Sequence, residues 1–388
     1  MTAGEPASPA TRTRHPGQVA HPDQVAPGAP ADGAPAGRVS VIVLNYGAAT
    51  AELEACVGSV VASPAGVVRE IILADNRAAS NGSAPDEVAA AFGAIVRVVR
   101  LDRNYGFAGG INRALRHCSG EFVYLLNNDA TVAADAIGRA LAALETADDP
   151  SILGVASKML ITGELDGTDA VIDSVGMAVN PAAEAFNIGL GQPDLGQYDH
   201  EPATFGPCFG AALLRRSAFR ADQVGPLLDR YFLYYEDVEW NWRANLLGYS
   251  FITAPYSIVH HRMSSSTRHL DYGFKFRLIE RNLLLTAAEL CAPRRALSIW
   301  FRRGAGLARG AVTGRHYPVA SVRALAGALA GLPAALLRRR RLQRRRMATD
   351  ENLFRFADAE RTFYDAVQYR PIERDAAREF AVARRPRR

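Results

Sequence analysis

The chain has 388 residues, of which 48% are hydrophobic and 22% charged, and its formal net charge is +5. This length allows one large α/β domain with an additional segment, or two ordinary domains. The composition excludes a chain that is disordered throughout. The four cysteines lie far apart and lack the paired spacing of zinc ligands, which argues against a disulfide framework and favours a reducing compartment.

Three regions are expected along the chain. Residues 1–37 are rich in Pro, Ala and Gly and nearly free of bulky apolar side chains, which predicts a disordered tail without a signal peptide. An α/β domain is expected over residues 38–269, and a helical, arginine-rich region over residues 270–388. The longest apolar stretch, Ala324–Leu337, is shorter than the roughly 20 residues of a membrane-spanning helix, so none is predicted.

The first part of the expected domain alternates between strands and helices. The continuous β-branched run Val39–Leu44 predicts a strand buried on both faces. Apolar strands are also expected at 67–73, 95–101 and 121–126, with helices between them. This alternation favours an open, mostly parallel sheet with right-handed crossovers, and ligands bind beyond the carboxyl ends of such strands.

Polar residues follow each of these four strands. The clusters are Asn45-Tyr46, Asp75-Asn76, Asn104-Tyr105-Gly106 and Asn127-Asn128-Asp129. Because these strand ends face one crevice, the clusters predict a binding site there. Beyond residue 150 we expect short strands at 152–157, 171–179 and 208–214, and a helix from about Glu236 to a left-handed stop at Gly248.

The segment Asn104–Asn112, here called the donor turn, opens a helix with small residues that would let a ligand approach the backbone. It lacks the Gly-Lys-Ser/Thr of a Walker loop. It also does not follow the first strand, as the glycines of a dinucleotide fingerprint do. The glycines alone therefore do not identify a ligand.

Asp129 and the doublet His260-His261 are candidate metal ligands. An acidic residue at the tip of a central strand can hold a divalent cation that bridges two phosphates, although an Asx turn explains the same residues. A neutral imidazole can supply a further ligand. The sequence does not decide which histidine faces the site. The Ser/Thr/Arg loop that follows could close over a diphosphate.

Three carboxylates, Glu236, Asp237 and Glu239, lie at the expected start of a helix. The positive end of the helix dipole favours their ionised form, which a general base needs in order to take a proton from a hydroxyl. Simple charge matching at a helix end is the alternative. Neighbouring aromatic residues, including Trp240, would offer flat apolar walls to a sugar ring.

In this order, these segments resemble glycosyltransferase family 2, with the GT-A fold, and especially its rhamnosyltransferase-like branch, from Val39 to about Thr267. The resemblance implies that Asp75 contacts the nucleotide and that Asp129 binds Mg²⁺ or Mn²⁺ with His261 as a second ligand. It also implies that Asp237 is the catalytic base. Asn127 stands where the family's metal motif usually has an acid. The other substrate-binding positions implied are Asn45, Asn104, Gly106, Gly109, Gly110, Asn112, Asn127, Glu236 and Trp240.

The expected activity is therefore an inverting transfer of a sugar, with rhamnose from dTDP-rhamnose as the leading donor. The acceptor would be a hydroxyl of a glycan or of a polyprenyl-diphosphate-linked sugar in cell-envelope polysaccharide synthesis. A sugar-nucleotide pyrophosphorylase is an alternative, but it requires a basic phosphate loop after the first strand. A nucleic-acid-binding protein is suggested by seven arginines in Arg338–Arg346, without a recognised motif nearby.

Between Arg294 and Arg346 the chain alternates apolar helical stretches with arginine clusters. Such a segment can lie in the headgroup plane of a bilayer, with its arginines on anionic lipid. The sequence thus favours a cytoplasmic protein attached peripherally to the inner face of the plasma membrane. The alternative is a helical bundle packed on the catalytic domain, with a solvated basic face.

Overall fold

The computed structural model describes residues 37–77, 84–161, 170–200, 203–262, 271–314 and 317–357. The expected tail, apart from Gly37, and the Ser/Thr loop that follows Arg262 lie outside these residues. All described residues belong to one compact unit.

The first part of the chain forms the predicted parallel sheet. Its elements are β1 (Val39–Asn45), α1 (Thr50–Val61), β2 (Val68–Asp75), α2 (Ala84–Phe92), β3 (Val96–Arg100), α3 (Gly106–Ala114) and β4 (Phe122–Asn127). Strand β1 lies between β2 and β4, β3 lies beyond β2, and all three pairings are parallel. The α/β class predicted from strand–helix alternation is confirmed.

The next part extends this sheet with mixed pairing. It contains β5 (Ala130–Val132), α4 (Ala136–Thr146), β6 (Ile152–Ile161), β7 (Val171–Ser174), β8 (Met177–Val179), β9 (Ala185–Asn187), β10 (Ala203–Thr204), β11 (Ala211–Arg215), α5 (Glu236–Leu246) and β12 (Ser250–His261). Strand β11 runs antiparallel to both β4 and β6, whereas β6 and β12 are parallel. The ten-stranded sheet is therefore parallel through β1–β4 and mixed beyond them.

The strand expected at 171–179 is divided in the structure. Gly176, with a φ of +128°, separates β7, which pairs with β6, from β8, which pairs with β9 in a small second sheet. A side chain at Gly176 would collide with Thr204, whose Oγ1 would lie 2.4 Å from the added Cβ. A break in one apolar run thus sends its two halves into different sheets.

Both faces of the main sheet are buried. Val39, Val41 and Val43 of β1 pack with α1, α2 and α4, while Ile42 packs on the opposite face with α3 and α5. This agrees with a strand buried on both sides. The helices hold the carboxyl ends of the strands at one edge, where the predicted site residues lie.

Four helices follow β12 in the described residues: α6 (Tyr272–Leu290), α7 (Pro293–Thr313), α8 (Pro318–Gln343) and α9 (Asp350–Phe354). Helix α6 is buried along most of its length and shares a core with Trp242 and Leu246 of α5. Within the described part of the chain, only α8 is long and apolar enough to cross a membrane by length and composition, with a mean hydropathy of 1.6 over 18 residues. The helix extends beyond the apolar run recognised in the sequence.

Candidate active site

The carboxyl ends of β1, β2 and β4 share one hydrogen-bond network. The Asn45 amide donates to Asp75 Oδ1 at 3.5 Å, and the Asn128 amide donates to Asn45 Oδ1 at 3.3 Å. All three side chains are buried. The structure therefore brings together the strand ends that the sequence placed around one crevice.

Asp75 carries an unsatisfied polar atom in this network. Its side chain is fully buried, and its Oδ2 has no hydrogen-bond partner. Arg77 Nε lies 3.9 Å from the other oxygen, Oδ1. A buried carboxylate oxygen without a donor is unfavourable, so this atom is a position where a ligand N–H or O–H would be stabilising.

Asn76, which the sequence placed in a strand-end cluster without a role of its own, organises the donor turn. Its amide nitrogen donates to Asn104 Oδ1 at 3.1 Å and to the Gly106 carbonyl at 2.9 Å. Its Oδ1 accepts from the Tyr105 N–H at 2.9 Å. Adjacency to Asp75 was the only sequence signal for this role. The side chain of Asn104 is thus directed into the turn, where it also accepts from the Gly106 N–H.

The glycines of the donor turn are explained by protein packing. Gly106 has a φ of +67°, and an added Cβ would lie 2.1 Å from the Phe232 carbonyl oxygen. At Gly109 and Gly110 an added Cβ would lie 2.9 Å from Tyr105 Cβ and 2.6 Å from Leu44 Cδ1. These residues therefore make room for neighbouring protein atoms, whatever ligand the donor turn contacts.

Asn112 is likewise held by the protein. Its amide nitrogen donates to the Leu227 carbonyl at 2.8 Å and to Asp229 Oδ1 at 2.6 Å, and its Oδ1 accepts from the Leu227 N–H at 3.0 Å. These bonds engage both ends of the amide and join α3 to the segment that precedes α5. The structure gives Asn112 an anchoring role in place of the expected ligand contact.

The candidate metal ligands Asp129 and His261 lie side by side. His261 Nε2 is 3.1 Å from Asp129 Oδ1 and 3.3 Å from the amide nitrogen of Asn127. His261 is mostly buried, whereas His260 is exposed. Side chains alternate between the two faces of β12, so His261 is directed towards the site and His260 away from it. The sequence alone did not decide between the two histidines.

Asp173 of β7 holds the other ring nitrogen of His261. Its Oδ2 lies 2.7 Å from His261 Nδ1. Metal-ligating histidines commonly have a carboxylate in this position, where it fixes the ring orientation and directs the free nitrogen to the metal. No sequence motif marked Asp173, which is 88 residues from His261 in the chain.

The electrostatics of this cluster favour a positive charge. Burial lowers the pKa of His261, but the hydrogen bonds and charges of Asp129 and Asp173 outweigh it and raise the pKa to about 10. Among the described residues, no group of three or more His, Cys, Asp or Glu side chains could hold a metal ion. The His, Cys, Asp and Glu side chains in the described part of the chain therefore do not by themselves complete the coordination of a cation at Asp129 and His261.

Glu236 and Asp237 form a partly enclosed carboxyl pair at the start of α5. Burial raises the pKa of Glu236 well above its usual range, and the charge of Asp237 raises it further. Burial also raises the pKa of Asp237, to about 6, although its Oδ1 accepts from the Val238 N–H at 2.8 Å. The helix dipole favours the ionised form, as expected from the sequence, but the loss of solvent around the two carboxyl groups outweighs the dipole here.

Two neighbours on α5 have structural roles. Glu239 is buried, and both of its oxygens pair with Arg243 at 2.9 Å. Trp240 is fully buried, stacks on Phe219 with ring centroids 5.0 Å apart, and donates its indole N–H to the Gly225 carbonyl. The prediction that Trp240 contacts substrate is wrong, because this side of the helix packs against the sheet.

Residues 40–221 of the chain match the family model of glycosyl transferase family 2. The match includes Asp75 and Asp129, while Asp237 and His261 follow it in the chain. No curated protein matches the sequence significantly.

The chain is similar to the solved structure of GalNAc-T7 with UDP, GalNAc and Mn²⁺, with a TM-score of 0.53, 14% identity and coverage of 72% of this chain. It spans about half the length of that protein, 51%. The similarity establishes the GT-A fold and extends to nothing finer.

Two further solved structures are more distant in shape. The mannosyltransferase PcManGT from Pyrobaculum calidifontis, in complex with GDP-Man and Mn²⁺, is 19% identical with a TM-score of 0.45, covering 79% of this chain and 85% of its own. TarS residues 1–349 from S. aureus are 13% identical with a TM-score of 0.47, covering 82% and 89%.

Proposed function

We propose that this chain, whose residues 40–221 match the family model of glycosyl transferase family 2, transfers a sugar from a nucleotide-sugar donor to an acceptor hydroxyl. The observation that carries the proposal is one continuous polar cluster at the edge of the sheet. Hydrogen bonds link Asp75, which has an unsatisfied oxygen, through Asn45 to Asn128, and Asp129, the next residue in the chain, lies beside His261. The two ends of this cluster suit a nucleotide diphosphate: the carboxylate of Asp75 would accept from the base or ribose, and the cation site at Asp129 and His261 would hold the phosphates.

Asp129 and His261 would hold Mg²⁺ or Mn²⁺: a carboxylate oxygen suits such hard ions, the family resemblance implies His261 as a second ligand, and Asp173 orients its imidazole. A bound cation would neutralise the charge that develops on the leaving diphosphate. The GalNAc-T7 structure, which shares the fold, contains UDP and Mn²⁺. The donor phosphates and water would complete the coordination.

Asp237 would act as the general base. Its pKa of about 6 leaves it ionised at neutral pH, whereas burial and the charge of Asp237 favour the neutral form of Glu236. The acceptor oxygen forms its bond to the anomeric carbon as the bond from that carbon to the diphosphate oxygen breaks, and Asp237 takes the acceptor proton. A single displacement of this kind inverts the anomeric configuration.

The donor proposed from the resemblance to the rhamnosyltransferase-like branch is dTDP-rhamnose. A panel of nucleotide sugars, each tested for thermal stabilisation with and without Mn²⁺ or Mg²⁺, would identify the donor, because a ligand that binds only the folded state raises Tm. We expect cation-dependent stabilisation by one donor. The absence of stabilisation by every nucleotide sugar, with either cation present, would contradict the proposed function.

The arginine cluster of the C-terminal helices bears on the location of the acceptor. Four of the seven clustered arginines make contacts within the protein. Arg338 pairs with Glu289, Arg339 donates to the Cys291 carbonyl, Arg345 to the Asp222 carbonyl, and Arg346 pairs with Asp350. The cluster is therefore only partly a free basic block, with Arg340, Arg341 and Arg344 exposed.

A different surface of α7 and α8 suits a bilayer. Both helices expose large apolar side chains, namely Leu297, Phe301, Val312, Val319, Val322, Leu329, Leu336 and Leu337. Phe301 is 78% exposed. The sequence of these helices contains no Asp or Glu. Exposed arginines accompany the apolar residues: Arg294, Arg302, Arg309, Arg323, Arg340 and Arg341. Exposed apolar side chains on helices whose charged residues are all arginines are typical of a segment that lies on anionic lipid.

This surface supports a peripheral location on the inner face of the plasma membrane, and hence a lipid-carried acceptor such as a polyprenyl-diphosphate sugar of the cell envelope. Co-sedimentation of the full chain with anionic and neutral vesicles tests it. Binding should require anionic lipid and weaken as salt rises. A protein that ignores anionic vesicles at low salt, or that buries this surface in a stable dimer, would favour a soluble acceptor.

A further inference from the structure

The backbone that leads into the carboxyl pair is held in an unusual conformation. The approach segment, Tyr231–Tyr235, contains three non-glycine residues with positive φ: Phe232 at +64°, Tyr234 at +66° and Tyr235 at +69°. Bulky residues rarely adopt this conformation, and it persists only where the surrounding structure enforces it. The segment ends immediately before Glu236 and Asp237, so whatever enforces it also sets the position of Asp237.

Helix α6 makes the enforcing contacts. Asn282 is fully buried, and its amide nitrogen lies 3.0, 3.2 and 2.6 Å from the carbonyl oxygens of Tyr231, Leu233 and Tyr234. Arg281 donates from Nη2 to the carbonyls of Arg230 and Tyr231 at 2.9 Å, and from Nε to Asn282 Oδ1. Two consecutive α6 residues thus donate hydrogen bonds to the approach segment.

The approach segment meets the donor turn on its other side. The Phe232 carbonyl accepts from the Ala108 N–H at 3.3 Å, and it is the atom that would collide with a side chain at Gly106. The donor turn has anchors of its own, through Asn76 and Asn112. Loss of the α6 contacts should therefore displace the approach segment and Asp237 more than the donor turn.

We propose that Asn282 is a positioning residue that holds Asp237 against the acceptor hydroxyl by fixing the approach segment. The proposal rests on the proposed function, in which Asp237 is the base. It also gives the C-terminal helices a part in the transfer reaction, because the catalytic geometry then depends on α6. Asn282 itself contacts neither substrate.

The test compares Asn282→Leu, which keeps the volume and removes the donor, with Trp300→Phe. Trp300 of α7 donates its indole N–H at 2.8 Å to the carbonyl of Leu284, which lies in α6 like Asn282. This contact does not involve the approach segment. Steady-state kinetics of the full chain well below both melting temperatures should show that Asn282→Leu lowers kcat about 10- to 100-fold, since small displacements of a catalytic group cost this much. The Kd for nucleoside diphosphate with Mn²⁺ should stay within about threefold of wild type, since the donor turn keeps its own anchors.

Trp300→Phe should lower Tm and leave kcat near the wild-type value. Wild-type kcat in Asn282→Leu, or an equal loss of kcat in both variants, would overturn the positioning role. Asp237→Asn, measured in parallel, separates this failure from that of the proposed function. If Asp237→Asn is inactive and Asn282→Leu is not, only the positioning role fails; if Asp237→Asn is active, the assignment of the base is wrong.

Discussion

Asp237→Asn gives the sharpest test of the proposed chemistry. The substitution keeps the size of the side chain and removes its ability to accept a proton. A positioned general base contributes about 10²- to 10⁴-fold to a rate, so kcat should fall by about that factor while donor affinity stays close to wild type. The assay is release of nucleoside diphosphate in the presence of acceptor, with Kd measured by calorimetry.

The pH dependence follows from the raised pKa of Asp237. Because the ionised form accepts the proton, wild-type kcat should fall as pH drops through about 6, and this acidic limb should be absent from the residual activity of the Asn variant. Burial raises the pKa of Asp237 from 3.8 to about 6 in the folded state. Ionisation of Asp237 therefore lowers the free energy of unfolding as pH rises between these two pKa values, and the loss persists at higher pH. Asp237→Asn should consequently be at least as stable as wild type at pH 7.

Glu236→Gln is the matched control. Burial and the neighbouring charge of Asp237 raise the pKa of Glu236 well above its usual range, which favours its neutral form, and a neutral amide is a close substitute for that form. This variant should keep most of the activity. An Asp237→Asn protein with near-wild-type kcat, or a Glu236→Gln protein with the larger loss, would refute the assignment of Asp237 as the base.

Three further predictions concern the cation site, the core and the membrane surface. Asp173→Asn should weaken Mn²⁺ affinity about 10- to 100-fold in calorimetry, because it removes the carboxylate that orients His261; an unchanged affinity would contradict that role. Trp240→Phe should lower the free energy of unfolding by about 1–3 kcal/mol in denaturant titration, since the Gly225 carbonyl loses its hydrogen-bond donor. The Kd for the nucleotide sugar should not change, and a weaker affinity would contradict the purely structural role of Trp240. Phe301→Asp should reduce co-sedimentation with anionic vesicles without lowering kcat on a soluble acceptor analogue, and undiminished binding would exclude the α7 surface.

The strands and their polar ends were predictable because their signals are local. The β-branched run that forms β1 and the polar residue Asn45 directly after it need no knowledge of the rest of the chain. The parallel arrangement then follows from helices between the strands. The meeting of Asn45, Asp75 and Asn128 at one edge is a consequence of that arrangement.

Contacts between distant segments were not predictable. Asp173 and Asn282 act on residues that are 88 and about 50 positions away, and neither lies in a motif. The fate of Trp240 could not be read from its type, because α5 is buried on more than one side and aromatic residues serve cores as well as sugar sites. The positive charge of the arginine run is visible in the sequence. Its contacts with Glu289, Asp350 and the Cys291 carbonyl are not.

The most direct test of the account is the release of nucleoside diphosphate from a panel of nucleotide sugars, followed with and without Mn²⁺ in wild type and Asp129→Ala. Wild type should turn over one donor in a cation-dependent manner. Asp129→Ala should lose both this turnover and the effect of Mn²⁺ on the affinity for nucleoside diphosphate. Cation-independent turnover that is equal in the two proteins would contradict the cation site at Asp129 and His261 on which the account depends.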